Sequence, residues 1–469
     1  MLKNNMPDIF IPELLVPAGD MEKLETAVVY GADAVYLGGD SLNLRAGAGG
    51  FSREELEEGI EKAHAMDVKV YFTLNVYPRE SMIPQIREYI EILRELKPDG
   101  VIAADPGVIR LLRRELPEIP VHVSTQANTS NSESVRFWRE CGASRVNVAR
   151  ELRSQELMEM LAVTRTQMPN MELEVFVHGA MCMAVSGRCY MSAYLNDRPG
   201  NLGECSHPCR YEYKPTSVTF EERTRPGEPL WEIREYAIED GDQFTFEEED
   251  DEFRFEPLGD DEKKDDPMVD PALTLAHTGG NWTKFFAAQD LCLLHYLEWF
   301  ARMKVSSVKL EGRTKSSAYL AQVVDAYRTA LDDIKSGEFK AEKYLSEMVN
   351  AATRPLTVGF FDPDRHGAIA MPPASGEKRP VLGRVLEDRG GGKWLMQTKS
   401  RWKAAEDIEL LIPGLNRPRL LPEEYGLEDD QQFGLEISHP GQFCIMICDH
   451  PDIKPGIFVR KPWDMEILD

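Results

Sequence analysis

No stretch of about 18 consecutive apolar residues occurs anywhere in this 469-residue chain, so nothing in it reads as a membrane-spanning helix. The N-terminus, MLKNNMPDIFIPELLVPAGD, has no basic region leading into a long apolar run, and a secretory leader is not expected. The familiar catalytic signatures are missing as well. There is no HExxH, no GxSxG and no Asp-Thr/Ser-Gly, so no zinc, serine or aspartic hydrolase site can be drawn. No GxGxxG opens a helix after the first apolar run, which sets a dinucleotide-binding domain aside. Basic charge is short: 54 Lys and Arg stand against 80 Asp and Glu, a net charge of −26. Because phosphate neutralisation supplies most non-specific affinity for RNA, that balance weighs against a polyanionic partner. The deficit is uneven, however. Thr216 to Asp270 holds 21 acidic and six basic residues, and such a stretch is expected to be solvated and partly disordered. The overall reading is a soluble, cytoplasmic protein with no membrane association, whose eight cysteines remain thiols or metal ligands rather than disulfides.

What is present is a regular alternation. ELLV, DAVYLGG, VKVYFTLNVY, DGVIAAD, PVHVSTQAN, SRVNVARE, LEVFVHG and VSSVKLEGR are separated by stretches of mostly helical period. Eight strands with helical crossovers predict a closed α/β (β/α)8 TIM-type barrel over residues 1–340. A Cys-rich insertion over 180–300 falls between strands seven and eight, at a connection that decorates the C-terminal face of such a barrel. From 355 to 469 short strand-like pieces such as PVLGRVLE, IELLIPG and GQFCIMICD predict a small β-barrel or β-sandwich.

Half of the cysteines, Cys182, Cys189, Cys205 and Cys209, crowd into that insertion with spacing C-x6-C, fifteen residues, then C-x3-C. The first pair is too wide for a zinc knuckle, whereas an iron–sulfur cluster accepts ligands from separate loops. Cys292, in AAQDLCLLHYL, is a fifth candidate, while Cys141, Cys444 and Cys448 read as core thiols. A cysteine nucleophile paired with His178 or His207 is a poorer use of four clustered thiols. Barrel chemistry sits just past strand ends, which selects Asp20, Asn75, Asp105, Gln126, Asn128, Arg150, Glu151, His178, Glu311, Gly312 and Arg313. The plain alternatives are solvated strand ends, rim ion pairs and a hydrogen-bonded core histidine. Tyr190, Tyr194, Tyr211 and Tyr213 flank the cysteines and either stack a planar base or pack the insertion against the barrel.

The stretch EVFVHGAMCMAVSGRCYMS closely resembles the defining motif of the collagenase-like peptidase family U32. ELLVPAGD with GADAVYLGG, HVSTQAN, NVARELR and VKLEGRTKSSAYLAQVVDAYRTALD extend the resemblance over Glu13 to Asp332. RPGNLGECSHPCRYEY followed by TRPGE resembles its tRNA hydroxylation branch. The resemblance implies an oxygen-independent hydroxylase with a [4Fe–4S] cluster, forming 5-hydroxyuridine at the tRNA wobble position with prephenate as the hydroxyl source. By position Cys182, Cys189 and Cys205 match cluster ligands, and the fourth is Cys292 or Cys209. Arg150, Arg313 and Lys315 would hold the carboxylates of this small co-substrate, and His178 or Glu311 would move protons, with Gln126 at the same rim. A collagenase-like peptidase and a non-catalytic assembly protein are the competing readings; oligomeric state is not legible. The chain departs from the family's pattern in LNLRAGAGGFS, where only Arg45 remains of a basic pair. It also has Ala287, Ala288 and Gln289 where relatives carry Asn-Ser-Lys, and an acidic segment from about Glu247 to Asp270.

Overall fold

The structure is a computed structural model that describes residues 9–44, 50–182, 184–210, 289–362, 365, 368–371 and 379–462, with the backbone of a strand pair at 212–215 and 231–234. The acidic segment from Glu247 to Asp270, Arg45, Tyr211, Ala287 and Ala288 lie outside the described residues.

Seven strands run in sequence order: β1 (Glu13–Pro17), β2 (Ala34–Leu37), β3 (Lys69–Leu74), β4 (Gly100–Ala103), β5 (Val121–Val123), β6 (Arg145–Asn147) and β7 (Glu172–Ala180). Each pairs in parallel with the next. Past the short strand β8 (Asp290–Cys292), β9 (Ser307–Leu310) lies parallel to both β7 and β1. The eight parallel strands β1–β7 and β9 therefore close into the expected barrel, wrapped by α1 (Met21–Val29), α2 (Arg53–His64), α3 (Ile83–Leu96), α4 (Pro106–Glu115), α5 (Ser132–Glu140) and α6 (Ser154–Gln167). The apolar residues of each strand that face outward, such as Leu14, Val35, Phe72 and Val101, form one core with these helices.

Two short strands go beyond the eight. The upper half of β7 peels away from β9 at a register shift after Lys309. There it accepts β8 in antiparallel pairing, with Cys292 opposite His178 and Asp290 opposite Ala180. A further strand, β10 (Leu356–Thr357), adds in parallel to β8. Two short helices, α7 (Met191–Asn196) and α8 (Leu297–Arg302), precede β9, and between β9 and β10 lie α9 (Ser317–Ser336) and α10 (Ala341–Ala351), whose Tyr327, Tyr344 and Met348 belong to the barrel core.

The barrel interior is partly ionic. Above its lower end Arg145 donates to Glu13 (2.6 Å) and Glu172 (2.7 Å) and lies 3.3 Å from Glu174, while Lys309 reaches Glu174 at 2.9 Å. Burial pushes the Glu174 carboxyl up, and Lys309 and Arg145 more than reverse this, leaving it below the ordinary range.

Residues 381–460 form an all-β unit around a seven-stranded sheet in which Val381–Gly390 pairs with both Lys393–Thr398 and Phe458–Arg460. It docks on the helices rather than on the barrel mouth. Tyr30, ending α1, donates to Leu411 O (2.7 Å), Arg460 reaches Glu347 of α10 (2.8 Å), and Arg417 reaches Asp325 of α9 (2.6 Å).

Candidate active site at the barrel mouth

Two of the strand-end residues act as helix caps. Asp20 accepts from Lys23 N (2.8 Å) to start α1, and Asp105 accepts from Val108 N (3.0 Å) to start α4, satisfying backbone donors that a first turn leaves open. Asn75 accepts from Leu44 N (3.4 Å), and Asn128 ends a short turn in the left-handed region at φ 55°. Glu151 holds the Ser186 hydroxyl (2.7 Å) and backbone, so it pins the Cys-rich segment to the rim. Arg150 donates to Ala180 O (2.7 Å) with its guanidinium 3.9 Å from the Phe176 ring centre, and Arg313 donates to Asn43 (2.9 Å). Glu311 accepts from Ala180 N (3.1 Å). That approach explains the glycine of the HGA triplet. Gly179 has φ +116°, and a Cβ there would lie 2.5 Å from the Glu311 Cβ, so a side chain would drive β7 and β9 apart. Gln126 is buried, its backbone oxygen accepting from Arg188 (2.8 Å) and Tyr77, with the side-chain Oε1 buried and without a hydrogen-bond partner among the described residues.

Lys315, Asp290 and Arg354 make a second group. Lys315 Nζ lies 3.3 Å from Asp290 Oδ2 and donates to Thr353 (2.9 Å); Arg354 lies 3.7 Å from Asp290 Oδ1. The Asp290 side chain is 1% exposed, Lys315 14% and Arg354 22%. Burial pulls Lys315 below the ordinary lysine range against the opposing pull of Asp290, and Arg354 and Arg210 act in the same direction as burial. Arg354 is lowered by burial and by Arg210, while Asp290, Cys209 and Glu311 pull the other way. Arg210, Cys209 and Glu311 thus lie close enough to act electrostatically on the Lys315–Asp290–Arg354 group. Arg354 and Arg210 were not singled out by the strand-end rule, and Asp290 opens a strand that the sequence pattern did not reveal.

His178 lies deeper. Its Nε2 is 2.8 Å from Tyr319 OH and its Nδ1 3.5 Å from Tyr327 OH. Tyr327 gives its one proton to Val177 O (3.0 Å), so it can only accept from Nδ1–H, which leaves Nε2 to accept from Tyr319. This fixes the tautomer. Burial pulls His178 down to about 4, with Asp290 opposing and Lys315 assisting. An unfolded imidazole titrates near 6.5, so between those values the unfolded chain takes a proton that the folded chain refuses. The stability contributed by neutral His178 is present above about 6.5 and is lost as pH falls through about 4. Moving from pH 7.5 to pH 5 should cost about 2 kcal/mol through this residue. In urea titrations a His178→Gln variant should show a shallower acid limb than the wild type; an identical limb would place the sensitivity elsewhere.

The thiols separate into two environments. Cys209 is pushed up by burial, eased by Arg210, and pushed up further by Cys182, Cys205 and Cys189; each of those three therefore lies within electrostatic reach of Cys209. Backbone N–H groups of Met191 and His207 point at the sulfurs of Cys189 and Cys205, each at 3.4 Å, as suits thiolate ligands. Cys292 instead is fully buried in β8, its sulfur 3.9 Å from Tyr327 OH, and burial pushes it up to about 11. Among the described residues no three Cys, His, Asp or Glu side chains stand close enough to hold an ion as they are. The quartet fits an iron–sulfur group in donor type and number, and its final geometry would be set on binding.

The family model described as Peptidase family U32 matches residues 19–369. The tRNA hydroxylation protein P of Haemophilus influenzae is 36% identical over 414 residues, covering 86% of each chain. The tRNA hydroxylation protein P1 of Bacillus subtilis is 33% identical over 457 residues, 96% of this chain and 94% of that one. A collagenase of Porphyromonas gingivalis is 26% identical over 380 residues, 79% and 78% of the two chains.

Proposed function

Because this chain belongs to peptidase family U32, we propose that it is a tRNA-modifying enzyme that hydroxylates a uridine, at the wobble position, with a [4Fe–4S] cluster and a small carboxylate such as prephenate as hydroxyl donor. The observation that carries this reading is that Asp290 gathers Lys315 (3.3 Å) and Arg354 (3.7 Å) at the mouth, with Cys209 and Arg210 close enough to act on Arg354, which joins the thiol segment to the strand-end chemistry of the barrel. Long relatives named for tRNA hydroxylation support the substrate class.

Cys182, Cys189, Cys205 and Cys209 would hold the cluster. When bound, it would supply iron chemistry, as Lewis acid or one-electron carrier, beside the mouth. The chain's own residues do the rest. Lys315 and Arg354 bind the donor's carboxylate, and Asp290, between them, holds both cations in place. Arg150, bonded to Ala180 O, and Arg313, bonded to Asn43, follow their strands at the same end of the barrel. Glu311, held by the Ala180 N–H, is the carboxylate placed to accept a proton at Oε1 or Oε2. His178, neutral and engaged by two tyrosines, orients Tyr319, over whose ring Lys315 Nζ sits at 5.0 Å.

Deleting the gene should remove 5-hydroxyuridine from digested tRNA by mass spectrometry, and a plasmid copy should restore it. A Lys315→Met, Arg354→Met copy should restore less than about one hundredth, since two charge-assisted contacts are gone. An unaltered nucleoside profile in the deletion strain, or gelatin cleavage by the purified protein that survives loss of the four cysteines, would reject the proposal.

A further inference from the structure

The segment that carries the thiols also carries two side chains with no role in holding it together. Helix α7 (Met191–Asn196) is short, and Tyr194 N–H donates to Tyr190 O at 2.8 Å, so Tyr190 continues its turn. Residues four apart share a helix face. One such pair, Ser192 and Asn196, is the anchor: Ser192 Oγ lies 3.0 Å from Ser206 Oγ, Asn196 Nδ2 donates to the same oxygen at 2.7 Å, and Ser206 N donates back to Ser192 at 2.9 Å. The other pair, Tyr190 and Tyr194, is two residues out of step, about 200° around the axis. It faces away. Tyr190 is 81% and Tyr194 87% exposed, so neither packs the segment against the barrel.

We propose that Tyr190 and Tyr194 form a platform on which unpaired RNA bases stack as the substrate loop enters the mouth. The proposal rests on the RNA-hydroxylation reading and names the part of the surface that receives the strand. Flat exposed rings bind bases through their faces whatever the sequence, and phosphates follow nearby arginines. The charge fits that occupant. From Met181 to Arg210 the cations are Arg188, Arg198 and Arg210 against Asp197 and Glu204, an excess of positive charge in a chain whose net charge is −26. Arg188 is braced by Tyr77 OH (2.7 Å) and Gln126 O (2.8 Å) on the barrel rim, so the rings and the rim are held in one frame. The platform also adjoins the thiols, because the Met191 N–H that begins α7 is bonded to Cys189.

The test uses the full-length protein and an anticodon stem-loop RNA with 2-aminopurine in the loop. Binding is read by anisotropy and stacking by quenching of the 2-aminopurine. Tyr190→Leu and Tyr194→Leu, which keep bulk but lose the flat ring, should each weaken binding roughly tenfold and together about a hundredfold. The Tyr→Phe variants should stay within about twofold of the wild type, because stacking needs the ring and not the hydroxyl. Quenching should survive in the Phe variants and vanish in the Leu pair. Equal affinity and quenching in the Leu variants, with the wild type binding RNA normally, would overturn the platform while leaving the hydroxylation reading intact. Unchanged RNA binding with altered sedimentation would make the pair a protein contact, which also overturns it. A wild type that binds no RNA would remove both.

Discussion

Cys209→Ser is expected to lose bound iron by roughly tenfold or more and to abolish hydroxylation, whereas Cys292→Ala keeps its iron. The two thiols compete for the same role on sequence grounds, and their surroundings separate them. Cys209 is within reach of the other three thiols and of Arg210. Cys292 is sealed in a strand opposite His178, with Tyr327 as its side-chain neighbour. Withdrawing its proton there would bury an unpaired thiolate, and burial already opposes that by holding the thiol at about 11. Iron and sulfide content per chain after anaerobic reconstitution, with visible absorbance, checks the prediction. Cys292→Ala should cost only about 1 kcal/mol of stability, the loss of a small buried side chain. Iron lost in Cys292→Ala and retained in Cys209→Ser would reverse the ligand assignment.

The largest effect on stability is expected at the other end of the barrel. Arg145→Met should destabilise the fold by about 3–5 kcal/mol, because it leaves the carboxylates of Glu13 and Glu174 buried with one cation fewer. Their side chains are 11% and 2% exposed, so water cannot replace the guanidinium. The loss should shrink as the pH is lowered, since both carboxyls can then be neutralised by protonation, and Arg145→Met with Glu174→Gln should recover part of it. Urea midpoints for the single and double variants at two pH values check this. As a control, Arg53→Ala should change nothing measurable: its partner Glu95 is 63% exposed, and solvent screens the pair. A loss under about 1 kcal/mol for Arg145→Met would mean that the interior network is dispensable.

The barrel was legible because its eight strands recur in regular alternation with stretches of helical period. Strands β8 and β10 were not, for a physical reason. They stand outside the strand–helix alternation, and what makes them strands is the upper edge of β7, which pairs with β8, which in turn pairs with β10. The site was legible in part. Residues just past a barrel strand are also where the next helix needs an N-cap, so the rule that found Glu311 and Arg313 also collected Asp20 and Asp105. Arg354 lies beyond the last barrel strand and reaches the mouth only because β10 joins β8. The sequence does not tell which way Tyr190 and Tyr194 face; the Ser192–Asn196–Ser206 anchor does, a contact across fourteen residues in the case of Ser192 and Ser206.

The pairing of Ala180 with Asp290 turns the long insertion into a cassette. Both of its ends are fastened to neighbouring positions of one sheet, so the barrel meets the same boundary however many residues lie between. Closure entropy grows only with the logarithm of length, about 0.6 kcal/mol per doubling. Segments can therefore be added to or removed from the cassette at little cost to the barrel, provided the paired ends remain. The acidic stretch from Glu247 to Asp270 lies between those paired ends, so lengthening or shortening it should leave the barrel's stability nearly unchanged.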